Sequence, residues 1–147
     1  MEKEYGSLRE KIAAEKEARS SRYKLFEEAL SEANRLGFAA GEQRKPRAMI
    51  VTEHVNPLND SSPAKRQWYE SEGACGFAWV TVYPGTCSFA RWLVKNKHGS
   101  AAYRGGVQIW ISAHGQSAER KEAHADAMAK CLTEKLGIKC YPGSRLD

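Results

Sequence analysis

Between Gly73 and Ala118 the chain has no aspartate and no glutamate. At the acidity of the whole sequence, a segment of that length carries about five. Two physical causes produce such a gap. Buried strands exclude charges of either sign, whereas a surface that receives an anion excludes acids alone. The segment keeps Arg91, Lys95, Lys97 and Arg104, and it holds Trp79, Trp92 and Trp110 among Phe77, Tyr83, Phe89 and Tyr103. Bases retained beside flat rings are what a nucleic-acid contact requires.

Other absences narrow the class. No apolar run approaches the roughly twenty residues that cross a bilayer, so no membrane partner is expected. The opening Met1-Glu2-Lys3-Glu4-Tyr5 has neither a basic nor an apolar signal region, which points to a cytoplasmic protein. The four cysteines, Cys75, Cys87, Cys131 and Cys140, form no CxxC pair. Reduced, mostly structural thiols are therefore expected, without a disulfide framework or a zinc signature. P-loop, HExxH, GxSxG and GxGxxG motifs are all missing, so neither a cofactor nor a metal is expected.

What is present suits a soluble globular domain: 147 residues, 41% hydrophobic and 28% charged. The net charge of +5 is unevenly placed. Residues 1–40 balance eight bases against eight acids, so the whole excess belongs to residues 41–147. A polyanion or an acidic protein surface is the partner class this implies.

Residues 1–19 form a charged helical arm with one narrow apolar stripe, Tyr5, Leu8 and Ile12. Residues 20–147 read as a single domain. Ser20 or Ser21 caps a helix carrying Tyr23, Phe26, Leu30, Ala33 and Leu36, and Gly37 is its stop signal. Nothing decisive separates arm from helix, so one long helix is also consistent with the sequence. Ala48 to Val55 predicts a strand, and Asn56 to about Gly73 a long polar connection. Ala74 to Tyr83 predicts the next strand. A short helix follows, capped by Thr86 or Ser88 and bearing Phe89, Trp92 and Leu93. Val107 to Ser112 alternates, with Val107, Ile109 and Ile111 on one side and Gln108, Trp110 and Ser112 on the other. A helix from about Ser117 to Leu136, ended by Gly137, and a short strand Ile138–Tyr141 complete the order α-β-β-α-β-α-β. This predicts an α+β fold, a mainly antiparallel sheet of about four strands with helices on one face. Trp110 then either stands on an open sheet face as a stacking platform or packs beneath the N-terminal helices.

The start of the last helix gathers positive charge. Free N–H groups and the helix dipole meet Arg120 and Lys121 there, and His124 lies one turn on. A phosphate would be well received at such a place. Arg120, Lys121, Ala123 and His124, followed by Ala127, Met128, Cys131 and Leu132, resemble the last helix of double-stranded-RNA-binding domains. That resemblance implies recognition of A-form shape through phosphate and 2′-hydroxyl contacts. His124 replaces the usual third lysine, Ser117 stands where a second glycine is common, and the family's Gly-Pro-x-His loop is missing. A fainter similarity, to small uncharacterised proteins of tailed bacteriophages, is carried by Cys75–Val80, Gly105–Ser112 and Gly143–Asp147. It implies an accessory role toward host or defence machinery.

Three functions follow in order of support. The first is a non-catalytic module binding RNA or DNA through Arg91, Lys95, Lys97, Arg104, Trp110, Arg120, Lys121 and His124. The second is an accessory protein that inhibits or modulates a nucleic-acid-handling protein. The third is a small enzyme using His54, beside Glu53 at a strand end, or His114. Adjacent strand residues face opposite ways, which weakens the Glu53–His54 pair.

Overall fold

The computed structural model describes residues 2–147, with side-chain surroundings from Ser7 onward. The elements run α1 (Glu2–Gln43), β1 (Met49–His54), β2 (Ala64–Glu70), β3 (Gly76–Tyr83), α2 (Ser88–Lys95), β4 (Ser100–Ala101), β5 (Val107–Trp110), α3 (Ala118–Leu136) and β6 (Lys139–Leu146). The fold is α+β, with an antiparallel four-stranded sheet in the order β4-β5-β3-β6 and a separate β1-β2 pair. No described helix is long and apolar enough to cross a membrane.

The first helix does not break at Ser20 or stop at Gly37. Residues 7–25 are exposed along their whole length, and burial begins at Phe26. From there Phe26, Ala29, Leu30, Ala33, Gly37 and Gly41 face inward at helical spacing. Gly37 is a contact residue, not a terminator. A methyl group placed on it would meet the His124 ring at 2.5 Å, and one on Gly41 would clash with the His114 ring. The two glycines let α1 approach α3 closely enough to take those imidazoles against its backbone.

Period-two alternation divides the sheet into two unlike faces. Ala78, Val80, Val82, Val107, Ile109 and Cys140 point inward and are buried beneath the helices. Their partners from α3 are Ala125, Met128, Ala129, Cys131 and Leu132, and α2 adds Phe89 and Leu93. Phe26 joins the two helical groups, its ring 5.3 Å from Phe89 and 5.8 Å from Trp92.

Two segments are more ordered than their composition suggests. The polar stretch after His54 contains β2, which pairs with β1 from Met49↔Glu70 to His54↔Ala64. Asn56 Oδ1 accepts from Leu58 N at 3.1 Å and Asn59 Oδ1 from Ser61 N at 3.0 Å, so two Asx turns tie the tip. This ribbon stands apart from the core. The last strand runs through Pro142-Gly143 to Leu146, pairing with β3 over its whole length. Its edge position tolerates the proline.

Gly41→Ala tests the close approach. Helix propensity alone favours alanine by about 0.8–1 kcal/mol. Overpacking against His114 costs about 1–3 kcal/mol, which is larger. A net loss of stability is expected in urea unfolding; a gain would show that α1 is not held this closely.

Candidate nucleic-acid interface

The outward sheet face carries the acid-free chemistry. Six cross-strand pairs place Phe77 opposite Arg145, Trp79 between Trp110 and Gly143, Thr81 between Gln108 and Tyr141, and Tyr83 opposite Lys139. No acidic residue belongs to this set. Trp110 and Trp79 have ring centroids 5.0 Å apart, and Phe77 meets Trp110 edge-on at 6.1 Å. The Arg145 guanidinium lies 5.2 Å from the centre of the Phe77 ring. Trp110 is 45% exposed and Tyr141 53% exposed.

Glycine fixes the lie of the tryptophan. A side chain at Gly143 would collide with the Trp79 indole. The indole therefore covers the β6 backbone and presents its other side outward. Beside it, the β4–β5 loop brings Tyr103 and Arg104 over the edge. Trp79, Thr81, Tyr83, Tyr103, Arg104, Gln108, Trp110 and Arg145 line a groove of about 620 Å³.

The eight residues singled out from sequence do not form one surface. Arg104 and Trp110 meet in this groove. Arg91 and Lys95 lie elsewhere, in a cleft between α1 and α2 that also contains Arg19 and Arg22. Lys97 is exposed at the bend after α2, with φ of 62°, and lines neither place.

The start of α3 corrects the phosphate-grip reading. Ala118 N donates to Ala74 O at 3.0 Å, and Arg120 N to the Ser117 hydroxyl at 3.4 Å, so the chain itself uses these N–H groups. The Arg120 guanidinium binds Glu72 at 2.7 Å and donates to Gly41 O and Glu42 O at 3.0 and 2.8 Å. It closes the C-terminal end of α1, whose last carbonyls lack helical partners. Lys121 is buried with its ammonium 5.6 Å from the Phe77 ring centre. His124 is buried too. Arg120 and His124 turn inward because α1 covers their turn of α3, and Lys121 is buried against Phe77 of β3.

His114 and His124 form a relay with Glu42. His114 Nδ1 is 3.0 Å from Glu42 Oε1, and His114 Nε2 is 3.0 Å from His124 Nδ1. With both rings neutral, His124 donates to His114 and His114 donates to the carboxylate. Phe38 stacks on His114 at 5.3 Å. His54 is remote from this group and bonds Ser62 O within the ribbon. Cys87 is itself the cap of α2, its sulfur accepting from Ala90 N at 3.4 Å, where Thr86 or Ser88 was expected. Burial pushes the Cys140 thiol up to about 12.

Sequence reasoning missed Arg145 and Lys139. The alternation Lys139, Tyr141, Gly143, Arg145 was the available signal, and Pro142-Gly143 masked it as a tail. It missed Arg19 and Arg22 because a helix face cannot be assigned before its neighbour is known.

No family model, curated protein or solved structure matches the chain.

The relay generates a pH prediction. Burial, and then the charge on His114, lowers His124 to about 4, against an ordinary 6.5. Between those values the unfolded chain binds a proton that the folded chain does not. Stability is full above pH 6.5 and falls as pH drops toward 4. In urea titrations at stepped pH, His124→Gln should flatten that slope; an unchanged slope would place its origin elsewhere.

Proposed function

We propose that this protein is a non-catalytic nucleic-acid-binding module that takes a single strand of RNA or DNA across its open sheet face. The observation that carries this reading is the pairing of exposed Trp110 with Trp79 on a face flanked by Arg104, Arg145 and Lys139 and free of acids. Flat rings accept unpaired bases irrespective of sequence, and the flanking bases meet the phosphates. A duplex keeps its base faces stacked internally, so an exposed aromatic face favours an unpaired strand.

A second reading has its own support. The β1-β2 ribbon leaves Ile50 67% and Tyr69 70% exposed, and an isolated two-stranded ribbon is marginal in water without a covering surface. This favours an accessory protein that docks on a nucleic-acid-handling partner. Replacing both residues with serine leaves strand affinity intact under the first reading.

Fluorescence anisotropy with labelled single strands over a salt series tests the first reading. Trp110→Ala should weaken binding by about 1–3 kcal/mol, the worth of one stacked base. Arg104→Gln and Arg145→Gln should each reduce the slope of log K against log salt by about 0.7. Affinity unaffected by Trp110→Ala, or insensitive to salt, would overturn it.

A further inference from the structure

The cleft between α1 and α2 is a second anionic-ligand site in its composition and geometry. From α1 it takes Arg19, Arg22 and Tyr23, and from α2 it takes Ser88, Arg91, Trp92 and Lys95. Each set follows helical spacing: i, i+3, i+4 on α1, and i, i+3, i+4, i+7 on α2. Two helix faces thus border one cleft of about 290 Å³, with four exposed bases along it. That volume is about tenfold the share of one water in the liquid.

The charge balance is one-sided. Four cations line the cleft and no carboxylate does. Among the described residues, none of the four is in an ion pair; the lysines and arginines that are paired are Arg35, Arg44, Lys65, Arg66 and Arg120. Like charges gathered without a counter-ion oppose the helix contact that assembles them, and a bound anion relieves that opposition. Trp92 is 5% exposed and forms the floor, packed on Phe26 and Phe89, so the contact is part of the core.

The donor set selects the kind of anion. Three arginines offer planar forks matched to tetrahedral oxyanions, Lys95 adds a point charge, and the Ser88 and Tyr23 hydroxyls add neutral donors. The geometry points to a phosphate-binding cleft that holds consecutive phosphate groups between α1 and α2, on a different surface from the aromatic sheet face. Its ligand is either a free polyphosphate chain or the phosphodiesters of a strand. This inference does not rest on the open-face reading, since Trp79, Trp110, Arg104 and Arg145 do not line the cleft.

The experiment uses the full chain and two probes: inorganic tripolyphosphate followed by thermal shift, and a labelled single-stranded oligonucleotide followed by anisotropy. Variants are Arg19→Gln/Arg22→Gln and Arg91→Gln/Lys95→Gln, all at exposed positions. Lys11→Gln/Lys16→Gln removes two exposed charges from the same helix outside the cleft and serves as control. Tripolyphosphate should raise the wild-type melting temperature in a saturable way. Both cleft pairs should weaken its binding at least tenfold, and the control pair by less than twofold. Cleft dependence for tripolyphosphate alone assigns a free polyphosphate, and dependence that extends to the oligonucleotide assigns a strand. Wild-type affinity in the cleft variants, an equal loss in the control pair, or no binding of either probe by the wild type would overturn the proposal. Trp110→Ala should leave the tripolyphosphate response unchanged, so a failure of the open-face reading is distinguishable.

Discussion

Gly37 and Gly41, one helical turn apart, let α1 lie against α3 with two imidazoles seated on its backbone. The rest of the molecule depends on that approach. It places Phe26, Leu30 and Ala33 in the core, and it brings the end of α1 within reach of Arg120. Glycine costs helix propensity at both positions. The cost is offset by packing that no residue with a side chain would permit without displacing His114 or His124. Arg120 and the Glu42–His114–His124 relay then fasten the same seam with charged and polar contacts.

Covering one sheet face so completely leaves the other without a helix. Ala78, Val80 and Val82 are buried against α3, so the alternate residues Trp79, Thr81 and Tyr83 lie on the opposite side of the sheet, with Phe77 at its end beside Lys121 of α3. Acids are missing from both faces for different reasons. On the inner face any charge would be desolvated. On the outer face Arg104 remains within the segment and β6 adds Lys139 and Arg145, so desolvation does not account for the missing acids there. The absence of acids between Gly73 and Ala118 joins these two effects in one stretch of sequence, because consecutive strand residues belong to opposite faces.

Legibility in the sequence followed the strength of local signals. The alternation from Val107 to Ile111 and the helical spacing of α3 with its Gly137 stop were readable, and both appear in the structure within a residue or two. The strand Ala64–Glu70 was hidden inside a segment rich in turn residues, since a ribbon exposed on both faces lacks the apolar alternation that marks a half-buried strand. The end of β6 was hidden by Pro142-Gly143, a turn signal that an edge strand overrides. Of the candidate site, Arg104 and Trp110 were legible as a base near an aromatic, whereas Lys139 and Arg145 were not. Their place on that face arises from pairing with β3, more than fifty residues earlier in the chain.

The sequence by itself determined which residue types are abundant where: the basic excess after residue 40, the acid-free aromatic segment, and the elements whose periodicity reports one buried side. Those properties are local, so they survive without knowledge of any partner. Tertiary structure decided how the cations divide. Arg120 and His124 became structural because α1 crosses their turn of α3, and Lys121 because its ammonium lies over Phe77 of β3. Arg104 was set beside Trp110, and Arg91 and Lys95 were set opposite Arg19 and Arg22. A cation's availability depends on what packs against its face, and in this chain that neighbour is usually dozens of residues away.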